Sequence, residues 1–219
     1  MKQLRPLIAA AVAILLSVAT ANASIIAYDN DANAAPLQNY GGSLGLDFDV
    51  NQTIAVTSLG AFFGNNINNL ESINGGGVTV GIYDRNTELL VGSSVLINSS
   101  TYTHIVNGNA FLALNSPLVL GPGNYSVVAF SDPNYNSMGS ANLFSTMNDG
   151  GGVISFVGTG RYDPVAGIYP EIIDAGPANR YAAGTFEFAP VPEPTTMAIW
   201  GIGAAGCALL GYRRRKQPV

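Results

Sequence analysis

The sequence predicts an all-β fold, an antiparallel β-sandwich of jelly-roll type, in the central part of the chain. Three observations support this prediction. Short runs rich in β-branched and aromatic residues recur along the chain. Gly, Asn and Pro residues separate these runs, and no apolar repeat has the period of a long helix. Many short strands joined by turns are typical of antiparallel sandwiches and jelly rolls.

The predicted strands follow one another at short intervals. In residues 185–188 the aromatic side chains alternate with Glu187, as on a strand with one buried face and its acid turned outward. Residues 121–124 predict a type II turn, with Pro in the second position and Gly in the third. Residues 131–148 have no clear period and predict a long loop. The predicted strands are 25–28, 46–50, 54–63, 78–83, 89–97, 102–106, 111–114, 117–120, 125–130, 153–157 and 182–188.

The amino-terminal segment has the organisation of a secretory signal peptide. Lys2 and Arg5 precede an apolar run over residues 7–18, which is too short to span a bilayer comfortably. Ala21 and Ala23 flank Asn22 in a small-residue cleavage pattern. We therefore expect signal peptidase to remove residues 1–23, so that the exported domain covers residues 24–190.

The carboxyl-terminal segment, residues 191–219, has three parts. Pro192, Glu193 and Pro194 form a short extended motif, because proline disfavours helix at and before its position. Residues 195–212 carry no charge and predict a single transmembrane helix about 27 Å long. A basic stop follows, which predicts a cytoplasmic carboxyl terminus; its residues are Arg213, Arg214, Arg215 and Lys216.

This arrangement resembles the PEP-CTERM sorting signal of Gram-negative bacteria. The resemblance implies recognition of Pro192, Glu193 and Pro194 by an exosortase, a membrane-embedded cysteine transpeptidase. It also implies an inner-membrane precursor, removal of the helix, and export to the cell surface or extracellular matrix. Some classification schemes call the same tail an ice-binding-protein C-terminal domain, a label that describes the tail alone.

A second resemblance covers residues 46–130. Segments 46–50, 54–60, 80–84 and 120–125 resemble landmarks of an uncharacterised β-sandwich module that recurs in secreted bacterial proteins. The module has no assigned chemistry, so it supports the fold and implies no activity.

The charge of residues 24–190 limits the kinds of molecule that the domain can bind. Of nine Lys and Arg residues only Arg85, Arg161 and Arg180 lie in residues 24–190, against thirteen of the fourteen acids. Nucleic acid is excluded as a partner, because binding to phosphates requires clustered cations. The only cysteine, Cys207, lies in the predicted helix, so the exported domain has no disulfide.

The domain does not show a sequence signature for catalysis, and we expect no enzyme. His104, its only histidine, could act as a general base, yet no nucleophile motif accompanies it. A glycoside hydrolase needs two carboxylates, and none of the available glutamates lies in a known motif. These glutamates are Glu71, Glu88, Glu171 and Glu187.

Calcium is the one metal for which the sequence offers candidates. Asp29, Asp31 and Asn33 alternate like the first ligands of an EF-hand loop. The pattern then fails, because Ala34 and Tyr40 replace the required Gly and Glu. An Asn- and Asp-rich turn is therefore the preferred interpretation, and we expect no obligatory cofactor.

The sequence thus predicts a non-enzymatic surface or matrix protein with a structural or adhesive role. The alternative is a module that binds extracellular polysaccharide through exposed aromatic side chains such as Tyr135, Tyr162 or Tyr169. A glycoside hydrolase is the less favoured third hypothesis.

Overall fold

The computed structural model describes residues 24–30, 38–64, 76–131, 134–136, 145–192 and 203. Within it, Ser24–Val191 forms one compact unit. Its strands are β1 (Ile25–Ile26), β2 (Tyr28–Asn30), β3 (Gln38–Tyr40), β4 (Ser43–Val50), β5 (Ile54–Phe62), β6 (Val78–Asp84), β7 (Leu90–Ile97), β8 (His104–Val106), β9 (Asn109–Leu120), β10 (Gly123–Phe130), β11 (Asn134–Asn136), β12 (Ser145–Met147), β13 (Ile154–Asp163), β14 (Ile172–Ile173) and β15 (Gly184–Pro190).

Two antiparallel sheets contain most of these strands. The first sheet has the order β1-β15-β5-β9-β8, and the second has the order β14-β13-β4-β10-β6-β7. Two short pairs, β11 with β3 and β12 with β2, complete the described pairings. The chain passes repeatedly from one sheet to the other, for example from β4 to β5 and from β9 to β10. The all-β sandwich predicted from the sequence is therefore confirmed.

The core lies between the two sheets because each contributes one apolar face. On β4 the side chains of Leu46, Phe48 and Val50 are buried, and they share one face because successive side chains of a strand point to opposite sides. On β15, Phe186 and Phe188 are also fully buried. The rings of Phe48 and Phe186 meet with their centroids 4.8 Å apart, which joins the two sheets. Each such side chain contributes roughly 1.5–3 kcal/mol through burial.

Some local predictions differ from the structure. The two strands predicted at 111–114 and 117–120 form the single strand β9, although it contains Pro117. Its register with β5 shifts between Val56 and Ser58, so this proline lies in the irregular part of the ladder where no hydrogen bond to β5 is required.

The predicted type II turn at 121–124 is wrong. Such a turn requires a positive φ at Gly123, and Gly123 has none. This residue instead opens β10 and pairs with Val50, because the ladder with β4 extends to that point. The predicted long loop at 131–148 also contains β11 and β12, which form through pairing with strands about 100 residues earlier in the chain.

Candidate functional site

The last strand of the sandwich leads directly into the tail. β15 lies between β1 and β5, and its final residue, Pro190, pairs with Ile54. The next residue, Val191, still donates its backbone N–H to the carbonyl oxygen of Thr53 at 2.9 Å. Val191 and Pro192 are both exposed. The folded domain therefore ends immediately before the Pro-Glu-Pro motif, and Pro192 is accessible to a processing enzyme.

Most of the predicted targeting residues lie outside the described residues. This applies to Ala21, Ala23, Glu193, Pro194 and the basic stop 213–216, and to the predicted helix 195–212 apart from Gly203. Among the residues that the structure describes, none belongs to a helix with the length and hydropathy needed to cross a membrane.

A comparison with protein families identifies the tail. Residues 190–216 match the model of the PEP-CTERM protein-sorting motif. The tail is a PEP-CTERM sorting signal. The matched segment begins at the last residue of β15 and continues through the basic stop. No curated protein matches the chain.

The sorting signal indicates what kind of protein carries it. PEP-CTERM signals direct exported proteins to processing by an exosortase at the membrane, so exosortase is a partner of this chain. Neither the signal nor the fold assigns an activity to the sandwich.

The first cluster includes the only two ionisable side chains in the five strands of the first sheet. These are His104 on β8 and Glu187 on β15, and all other side chains of those strands are uncharged. The two meet with His104 Nε2 3.1 Å from Glu187 Oε1. The sequence placed Glu187 on the solvent side of its strand. It does lie opposite the core aromatics, but its side chain is only 11% exposed because His104 extends over it.

A missing side chain makes this contact possible across the sheet. His104 stacks on Phe111 with 5.2 Å between the ring centroids. The Phe111 ring lies over Gly60 on β5, where an added Cβ would be only 2.5 Å from Phe111 Cε1. Only glycine leaves room for Phe111 to lie flat, so that His104 can reach β15.

Thr103 adds a hydroxyl to this pair. Its Oγ1 lies 3.1 Å from His104 Nδ1, which completes a hydroxyl–imidazole–carboxylate chain like that of a serine hydrolase. However, the same oxygen accepts the N–H of Ala113 and lies within hydrogen-bond distance of the Phe111 carbonyl, both at 3.1 Å. A nucleophile must be free to attack, whereas this hydroxyl is held by the backbone of β9. The geometry favours a structural role, in which these hydrogen bonds hold β8, β9 and β15 together.

The second cluster lies on the outer face of the second sheet. Asp47 on β4 is fully buried, and both of its carboxylate oxygens contact Arg161 Nε, at 3.0 and 2.8 Å. Arg85 lies 3.5 Å from Asp47 and also pairs with Asp49. Asn124 donates to Asp49 at 2.8 Å. Two arginines thus neutralise two acids, which leaves neither carboxylate unpaired.

The segment 164–171, which we call the strap, covers this cluster. Ser43 fixes the strap by donating to the Val165 carbonyl and accepting from the Gly167 N–H, both at 3.1 Å. Tyr169 of the strap lies over Arg161, with 5.5 Å from the guanidinium carbon to the ring centre. The strap therefore buries the charged cluster that β4 would otherwise expose to solvent.

The predicted calcium ligands are only partly described. Asp31 and Asn33 lie outside the described residues. Asp29 accepts hydrogen bonds from the side-chain amides of Asn107 and Asn109. Within the described part of the chain, no three His, Cys, Asp or Glu side chains cluster closely enough to hold a metal ion.

The aromatic residues suggested for sugar binding do not form an exposed row. Tyr169 belongs to the strap and is buried against Tyr83 and Arg161, and Tyr162 is half-buried against the core with its ring near Tyr40 and Tyr181. The side chain of Tyr135 lies outside the described residues. Neither described ring offers an open face for stacking on a sugar.

Buried tyrosines make the stability of the domain depend on pH in the alkaline range. Burial raises the pKa of Tyr83 and Tyr169, and burial together with a hydrogen bond to Asp174 raises the pKa of Tyr181 more strongly. A group with a raised pKa in the folded state stabilises the fold below its unfolded pKa, about 10 for tyrosine, and this contribution disappears as pH rises further.

We therefore expect stability to fall once the pH exceeds about 10. Exposed tyrosines such as Tyr102 should ionise first, and the remaining rise in phenolate absorbance should accompany the loss of β-sheet circular dichroism, because opening of the domain lowers the pKa of the buried phenols. If all tyrosines ionised while the circular dichroism signal stayed intact, the described burial would be wrong.

Proposed function

We propose that the sandwich is a non-enzymatic structural or adhesive domain, displayed at the cell surface or in the extracellular matrix after exosortase processing. The observation that carries the proposal is the sorting signal, which follows the folded domain without a spacer after the bond between Val191 and Thr53. Signal peptidase acts at the other end, after Ala23.

The polar clusters support a structural role. The Thr103 hydroxyl is held by β9, and Asp47 and Asp49 are paired with arginines. The pair of His104 and Glu187 and the pair of Asp47 and Arg161 connect segments that are 83 and 114 residues apart in the sequence. Such ties suit a cysteine-free domain outside the cell, where no disulfide contributes to stability.

Replacing Pro192, Glu193 and Pro194 with alanine tests the sorting step. We expect the precursor to remain in the inner membrane with its tail intact, because the exosortase loses its recognition motif. Cell fractionation and intact-mass spectrometry of the protein from its native host would measure this. The matched control is Pro164→Ala with Glu171→Ala, which removes an exposed proline and an exposed glutamate from the strap. Normal surface display of the triple variant would contradict the proposal.

A further inference from the structure

One end of the sandwich, which we call the exit end, surrounds the point where the chain leaves the fold. Val50 at the end of β4 pairs with both Gly123 and Ile154, and Ile54 pairs with both Leu120 and Pro190. The loops at the exit end are therefore 51–53, 85–89, 121–122 and 149–153, all within the described residues.

The sequence allows little distance between the exit end and a membrane. Val191 makes the last hydrogen bond of the domain, and the uncharged segment predicted to span the bilayer starts at Thr195. Four residue steps reach at most about 14 Å when fully extended. The headgroup layer on each side of a bilayer takes up about 5–8 Å of that length. In the anchored precursor, the exit end must then lie within roughly 10 Å of the lipid surface.

The surface of the exit end suits this position. Leu89 and Val119 are the most exposed large apolar side chains among the described residues, at 68% and 61%. Leu89 lies in the β6–β7 loop, next to Leu90, which pairs with Tyr83. Val119 pairs with Ala55, which pairs with Ala189, so it lies about two strand spacings, or ~10 Å, from the end of β15.

Charged side chains at this end are mostly occupied within the domain. Arg85 pairs with Asp47 and Asp49. Asp84 and Asp149 accept backbone N–H groups of their own loops, from Asn86, Thr87 and Gly151. Glu88 is exposed, which favours a zwitterionic lipid surface over an anionic one.

We infer that the exit end rests on the lipid headgroups in the membrane-bound precursor, with Leu89 and Val119 against them. The inference rests on the proposed function, because it requires the anchored precursor. Removal of the tail then releases this face, so processing uncovers an apolar surface that was shielded before export was complete.

Site-directed fluorescence tests this orientation. The full chain carrying Cys207→Ala and Val119→Cys would be labelled with an environment-sensitive dye and reconstituted into phosphatidylcholine vesicles that contain a headgroup nitroxide lipid. The matched control is Val165→Cys. Val165 is 55% exposed and follows Asp163, which pairs with Ser43 at the opposite end of β4.

We expect the dye at position 119 to lose most of its emission to the nitroxide, and the dye at position 165 to lose little. Equal quenching at both positions in vesicle-integrated protein would overturn the inference and leave the proposed function intact. Protection of position 119 from a water-soluble quencher without quenching by the nitroxide lipid would also overturn it, and would indicate contact with a second copy. Failure of the chain to integrate into vesicles would overturn the anchored precursor itself, and the orientation with it.

Discussion

Replacing Asp47 with alanine should lower the free energy of unfolding of the sandwich by about 3–5 kcal/mol, because it leaves two arginines under the strap without their shared partner. Asp47 is fully buried, and the side chains of Arg85 and Arg161 are only 17% and 16% exposed. The loss is large relative to a typical domain stability of about 5–15 kcal/mol. Urea unfolding of the exported domain, followed by circular dichroism, would measure it.

Asp49→Ala is the matched control for this variant. Asp49 lies on the same strand and also pairs with Arg85, but its side chain is 31% exposed, so water can replace part of the lost interaction. We expect a clearly smaller loss than for Asp47→Ala. Asp47→Asn keeps the volume and removes the charge, so it separates electrostatics from packing. Equal stability of Asp47→Ala and the unmodified domain would mean that the buried cluster does not form.

Replacing Phe186 with alanine should lower the free energy of unfolding by about 3–5 kcal/mol, because apolar burial is lost and a cavity remains. Phe186 is fully buried, and its ring lies 4.8 Å from that of Phe48 and 5.8 Å from that of Phe188. It is a contact between the sheets, contributed by the strand that leads into the sorting signal. The same unfolding experiment applies.

Two further variants serve as controls for the stability loss of Phe186→Ala. Phe186→Leu retains most of the apolar volume and should lose less stability. Ile173→Ala removes a side chain that is 60% exposed, so its effect should stay within about 0.5 kcal/mol. If Phe186→Ala lost as little stability as Ile173→Ala, the Phe186 ring could not be packed between the sheets as the structure shows.

The strands that were predictable are those whose own residues show an apolar pattern. Alternation of apolar residues predicted β4, β5, β6 and β10 close to their observed bounds, because one face of each strand is buried in the core. The sorting signal was predictable for a similar reason, since its motif, apolar segment and basic stop are contiguous. The short strands β2, β3, β11 and β12 were partly or wholly missed, because they exist only through pairing with distant segments.

The polar clusters were not predictable from local pattern. His104 and Glu187 are 83 residues apart, and their contact depends on Phe111 lying over Gly60. Asp47 alternates with Leu46 and Phe48, which places it on the face away from the core. Nothing in that alternation shows that the strap, more than 100 residues later, covers this face. The one sequence signal was that the domain holds only three cations, two of which meet Asp47.

The place of β15 in its sheet has a mechanical consequence. Ladders on both flanks, to β1 and β5, hold this strand, and the chain leaves along its axis through Pro190. A pull on the carboxyl terminus therefore loads two sets of backbone hydrogen bonds in shear at the same moment, whereas an edge strand would peel away one bond at a time. A protein held at its surface attachment by this end would resist drag from flowing medium better than one tethered through a hairpin at the rim of its sheet.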